Sequence, residues 1–136
     1  MVICDSECMV LGSLSKQISQ AYSPMEVEVM AVVKAMQFAS DLGFQRAMLE
    51  TDSLVLVKAL RDDTEFLSAV GLVLDEIRNK DNFFNELHYS NVKREANNVA
   101  HKLARHAIYV LDFAVWMEDV PSLLFPSVLA DIANFT

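Results

Sequence analysis

The sequence predicts an α/β domain in which a mixed sheet is flanked by helices. Two observations carry this. Short β-prone runs alternate with amphipathic helical repeats, and a well-capped helix stands directly between two strand-like segments. Strands separated by helices need crossover connections, so at least part of the sheet is parallel. A length of 136 residues fits a single such domain.

The elements follow in order. Val2-Ile3-Cys4, the turn Asp5-Ser6-Glu7-Cys8 and Met9-Val10-Leu11-Gly12 read as a short strand, a tight turn and a second strand. Ser23-Pro24-Met25-Glu26 predicts a helix start: Ser23 caps, Pro24 suits the first turn and Glu26 completes a capping box. Met25, Val29, Val32, Val33 and Met36 recur at helical spacing, and Gly43 supplies the stop. Phe44 to Thr51 reads as a strand ending at Asp52. Ser53 then caps a short helix carrying Leu54, Val57 and Leu60.

A longer helix is expected from Glu65 to Asn79, with Leu67, Val70, Leu74 and Ile77 along one face. Glu86 to Val92 is the next strand, followed by a helix over Asn97 to Tyr109. Beyond Trp116, Pro121 and Pro126 interrupt the chain, and Ser127 to Phe135 is expected to form a last short helix. The domain is accordingly expected over residues 1–115, with a tail over residues 116–136.

Composition limits the function classes. With 53% hydrophobic and 22% charged residues the chain is able to bury a core and is unlike a disordered one. The net charge of −8 works against nucleic-acid binding unless positive charge gathers on one face. Cys4 and Cys8 are too few for a closed zinc site and are expected to be reduced, partly buried thiols. The most apolar run, Ala107 to Met117, is short and carries Asp112, so no membrane span is expected. The N-terminus has no secretory pattern, and a soluble intracellular protein, nuclear or cytoplasmic, is the expectation.

Two acids stand out. Glu28 borders the buried stripe of its helix, and Asp52 sits at the carboxyl end of a strand expected to be parallel, where open α/β sheets place ligands. Together they are a candidate pair for Mg²⁺ or Mn²⁺, which favour oxygen ligands. Glu28 equally suits a carboxylate favoured by the helix dipole, and Asp52 a turn that caps the next helix.

Basic residues gather later: Lys93, Arg94, Lys102 and Arg105 against Glu95. Lys102, Arg105 and His106 share a helix face, which fits a strip following phosphates or a solvated surface. Phe38, Phe44, Phe66, Phe83 and Phe84 fall at core-like positions, so no aromatic stacking platform is expected.

Three motifs carry a family resemblance. Glu28-Val29-Met30-Ala31 runs through to Leu42-Gly43-Phe44, and Leu49-Glu50-Thr51-Asp52-Ser53 follows. Later comes Val92-Lys93-Arg94-Glu95-Ala96-Asn97-Asn98-Val99-Ala100-His101-Lys102-Leu103-Ala104-Arg105. In this order and spacing they resemble the plant reverse-transcriptase-like branch of the ribonuclease H superfamily. Asp5-Ser6 and the pair Trp116 and Pro121 resemble that family's edges.

The resemblance implies a ribonuclease H-like fold and a metal-dependent endonuclease that cuts the RNA strand of an RNA–DNA hybrid. Such chemistry uses four acids around two Mg²⁺ or Mn²⁺ ions about 3.5–4 Å apart. Glu28 and Asp52 match two of the four as metal ligands, and His101 stands at the fourth. The first belongs on a strand preceding Asp5-Ser6, so the first strand is expected to be truncated. Lys93, Arg94, Asn97, Lys102 and Arg105 match the segment expected to meet nucleic acid. Negligible hydrolysis is therefore expected from a retroelement-derived chain. The other reading is a non-catalytic module of the same fold that binds nucleic acid or protein. A nucleotide-binding doubly wound domain is disfavoured, because no glycine-rich loop follows a strand.

Overall fold

One side chain organises the first hairpin. Asp5 Oδ1 accepts hydrogen bonds from the backbone N–H of Glu7 at 2.9 Å and of Met9 at 3.0 Å. Cys8 takes a left-handed conformation, φ 61°, to bring the chain back. Strands β1 (Val2–Cys4) and β2 (Val10–Lys16) flank this turn and pair antiparallel, with an irregularity between Ile3 and Cys4. Neither cysteine forms a disulfide among the described residues, and Cys4 is exposed where partial burial was expected.

The computed structural model describes residues 1–18, 23–61, 75–77, 79 and 82–135. They fall into two compact units. One joins Met1–Ile18 to Arg94–Thr136, and the other is Ser19–Lys93. No described helix is long and apolar enough to cross a membrane.

The Ser19–Lys93 unit contains α1 (Pro24–Asp41), β3 (Arg46–Thr51), α2 (Leu54–Arg61) and β4 (Glu86–Asn91). The capping box is present: Ser23 Oγ accepts from Glu26 N at 3.3 Å, and Glu26 Oε2 accepts from Ser23 N at 2.6 Å. Val29, Val32, Val33 and Met36 are buried along α1, as their spacing requires. Gly43 ends the helix at φ 84°, a conformation that costs glycine nothing. β3 and β4 pair in parallel, Arg46 opposite Glu86 through Thr51 opposite Asn91. Arg61 at the end of α2 donates to the Tyr89 carbonyl of β4. The helix expected over residues 65–79 lies mostly outside the described residues, but Ile77 within it is fully buried.

The capping box makes stability depend on pH. The backbone N–H and hydroxyl of Ser23 hold the Glu26 carboxyl below its ordinary value of 4.5. A depressed carboxyl stabilises the fold fully above the unfolded value and loses that contribution as pH falls through the folded one. Acid titration from pH 6 to pH 3, followed by urea midpoint, should show a loss that Glu26→Gln reduces.

The other unit adds α3 (Asn98–His106), β5 (Phe113–Met117) and α4 (Phe125–Phe135), with short 3₁₀ turns at Ala107–Tyr109 and Ser122–Leu124. β5 pairs antiparallel with β2, giving the order β1-β2-β5. This strand, Phe113–Met117, runs across the boundary between residues 115 and 116 at which the tail was expected to begin. The core is Val99 and Leu103 of α3 with Val120 and Leu124, surrounded by Val2, Val10, Trp116 and Val128. Two polar residues enter this interior. Ser13 Oγ donates to the Asp119 carbonyl at 2.8 Å and Ser15 Oγ to the Leu103 carbonyl at 3.0 Å, so neither hydroxyl is buried unpaired. The mixed character of the fold is thus divided: antiparallel strands in one unit, parallel strands in the other.

Candidate nucleic-acid interface

The carboxyl end of β3 is fixed by its neighbour. The Thr51 carbonyl accepts from Val92 N at 3.0 Å and from Asn91 Nδ2 at 3.2 Å. Thr51 Oγ1 accepts from Ser53 N at 3.2 Å, and Ser53 Oγ from Leu56 N at 3.4 Å, which starts α2. Asp52 is held between these turns and is exposed. Glu28, in the same unit, is also exposed, on the first turns of α1. Among the described residues, neither carboxylate has a hydrogen bond or ion pair. No three His, Cys, Asp or Glu side chains among them gather closely enough to hold a metal ion.

His101 belongs to the other unit, on α3, and is half-buried. Its Nε2 lies 3.0 Å from a guanidinium nitrogen of Arg94. Arginine has donors and no acceptor, so Nε2 must accept, and the ring proton of this pair sits on Nδ1. The nitrogen lone pair that a metal would need is therefore already engaged. The guanidinium itself is exposed and presents its remaining donors to solvent.

The other expected contacts separate on inspection. Lys93 is exposed and lies in the Ser19–Lys93 unit. Asn97 stands at the start of α3, where its side chain makes no capping bond; its backbone carbonyl accepts from His101 N at 3.0 Å. Arg105 is exposed near the helix end. Lys102 is tied to the tail, because its Nζ donates to Ser127 Oγ at 2.6 Å. Burial raises the nearby Asp131 carboxyl above its ordinary value, and the charge of Lys102 opposes that rise.

His106 does not continue the strip. Its ring is tilted against Tyr109 and Trp116, at centroid distances of 5.7 and 5.9 Å, and its Nδ1 is buried with no partner among the described residues. The strip of three side chains expected on α3 therefore reduces to Arg105 and a tethered Lys102. The expectation of a core-like Phe83 is also corrected. Phe83 is exposed, while Phe38 and Phe84 are buried; Phe66 lies outside the described residues.

An open depression of about 410 Å³ lies over β3 and β4, lined by Met48, Arg61, Leu87, His88, Tyr89 and Ser90. It includes none of the expected site residues. At its margin His88 Nε2 meets Glu86 Oε1 at 2.8 Å, and this contact holds the Glu86 carboxyl below its ordinary value. The pair is exposed and adds little to stability.

Spacing did not reveal the Arg94–His101 contact. The two residues are seven apart, and Arg94 precedes the helix, so no helical periodicity links them.

Three comparisons bear on this arrangement. Residues 1–107 match the profile of a family described as reverse transcriptase-like. The crystal structure of ribonuclease H1 from the halophilic archaeon Halobacterium salinarum NRC-1 aligns with a TM-score of 0.61 and 24% identity, over 65% of this chain and 67% of that one. At that identity the likeness is one of fold. No curated protein matches the chain.

Proposed function

We propose that this chain, which belongs to the reverse transcriptase-like family and has a ribonuclease H-like fold, binds nucleic acid of the RNA–DNA hybrid class and hydrolyses it negligibly. The observation that carries the reading is the Arg94–His101 pair. At the position where the family resemblance expects a metal-binding acid, this chain has an imidazole with a guanidinium bonded to it. A guanidinium supplies fixed positive charge and a planar set of donors suited to phosphate. Arg105 and Asn97 stand on the same α3 segment, and Lys93 precedes Arg94 directly.

The donor set does not fit two divalent ions. Mg²⁺ prefers oxygen ligands in near-octahedral geometry and keeps several waters, so one or two carboxylates hold it loosely. Glu28 and Asp52 are the two that match, and the imidazole lone pair of His101 is engaged. A two-ion displacement needs ions clamped on both the attacking and the leaving oxygen.

The unengaged, exposed carboxylates of Glu28 and Asp52 favour a second reading, residual hydrolysis dependent on a divalent ion. Cleavage of a labelled RNA–DNA hybrid in Mg²⁺ and then Mn²⁺ separates the two. The proposal expects no product above the level given by Asp52→Asn. Cleavage that disappears in Asp52→Asn would establish the second reading.

A further inference from the structure

The edge strand β5 is apolar along its whole length, Phe113-Ala114-Val115-Trp116-Met117. Its backbone directions are fixed by two bonds at its ends. Gln17 N donates to the Asp112 carbonyl, and Glu118 N donates to the Leu11 carbonyl. Residues 112 and 118 therefore turn their polar groups toward β2. Because these directions alternate along a strand, Ala114 and Trp116 do the same, and Phe113, Val115 and Met117 turn theirs outward. No described residue pairs with that outer edge, since the sheet order ends at β5. The side chains of these three residues are also 58%, 40% and 55% exposed. They stand opposite Lys16, Leu14 and Gly12 of β2 on one sheet face, while Trp116 packs on the core of the other face.

We propose that β5 is a self-association edge, on which a second copy of this chain docks its own β5 antiparallel about a two-fold axis at Val115. The sequence is complementary to itself in this register. Val115 meets its own copy, Phe113 meets Met117, and the small Ala114 meets the large Trp116, so every cross-strand pair is apolar. The residues that face each other across the axis as hydrogen-bonding pairs, Phe113, Val115 and Met117, are those with outward N–H and C=O groups. All of these backbone groups are satisfied at once.

A symmetric copy fits because an isologous contact needs one patch to match itself, and β5 does. The uncharged edge also lacks the lysines, prolines and inward charges that keep isolated edges apart. Charge acts at the ends, where Asp112 comes near Glu118 of the second copy. The two acids repel, so association strengthens with salt, opposite to the salt dependence of phosphate binding.

The contact is small compared with the ~1,200 Å² and more of stable interfaces, so the dimer is concentration-dependent, forming over roughly 10–100 µM. Sedimentation velocity of the full chain without nucleic acid tests it. The expected result is a monomer–dimer equilibrium that shifts toward dimer between 50 and 500 mM salt. Val115→Pro should leave a folded monomer, since the outward N–H it removes has no partner among the described residues. Val115→Lys should do the same by placing two like charges on the axis. A wild-type chain that stays monomeric to 200 µM, or a dimer that survives either substitution in a protein of native circular dichroism, would overturn the proposal. Should Val115→Pro fail to fold, Val115→Lys decides alone.

Discussion

Leu103→Ala should lower the unfolding free energy by about 3 kcal/mol, within the 2–5 kcal/mol range of leucine truncations in packed cores. Leu103 is fully buried and shares its cluster with Val99, Val120 and Leu124. Its carbonyl also receives the Ser15 hydroxyl, so the backbone of α3 is pinned to β2 at the same residue. The surroundings are therefore poorly able to collapse into the space the side chain leaves. A domain of ordinary stability has 5–15 kcal/mol to lose from, so the effect is a large share of the total. Urea denaturation followed by Trp116 fluorescence reads this unit directly, because Trp116 is the chain's one tryptophan and borders the cluster. The midpoint should fall with the slope unchanged. A loss below about 1 kcal/mol would mean that the cluster is not packed to native density.

Arg94→Glu should weaken binding of an RNA–DNA hybrid by about tenfold or more and reduce the magnitude of the salt slope by about one. The substitution reverses a charge beside the expected phosphate path and leaves the His101 Nε2 without its donor. Arg105→Ala should act in the same direction with a smaller effect. Lys102→Ala should barely change binding, since Lys102 is committed to Ser127. Asp52→Asn should leave affinity unchanged or slightly raised, because it removes a negative charge. Fluorescence anisotropy with a labelled hybrid at several salt concentrations gives all four values. An Arg94→Glu protein that binds as wild type would remove the guanidinium from the interface.

The sequence revealed those parts of the fold that depend on local chemistry. Ser23, Pro24 and Glu26 placed the start of α1, and Gly43 placed its end, because caps and left-handed stops are determined within a few residues. Asp5 marked the first turn for the same reason. β5 was not legible. Its alternation is Phe, Ala, Val, Trp, Met, apolar on both faces, so the two-residue period that marks a strand is hidden in a continuous apolar run. Ser13 and Ser15 would similarly have read as a polar, outward face. They point inward because Asp119 and Leu103, distant in sequence, present carbonyls to them.

The site was legible at the level of residue type and not of geometry. Glu28 was singled out from helix phase and Asp52 from its place at a strand end, and both are exposed. The basic strip was drawn from helical spacing, which treats every position on one face alike. Contacts then divided it: Lys102 went to the tail, and His106 to Tyr109 and Trp116. Helical periodicity does not report Ser127 or Trp116, which stand on elements outside the helix.

The most direct test is the affinity for an RNA–DNA hybrid in EDTA and in Mg²⁺ at matched ionic strength. Binding through fixed arginine charge predicts the same dissociation constant in both, within about twofold. Binding that is lost in EDTA and restored tenfold or more by Mg²⁺ would contradict it, and would place a divalent ion, held by Glu28 and Asp52, at the centre of the site.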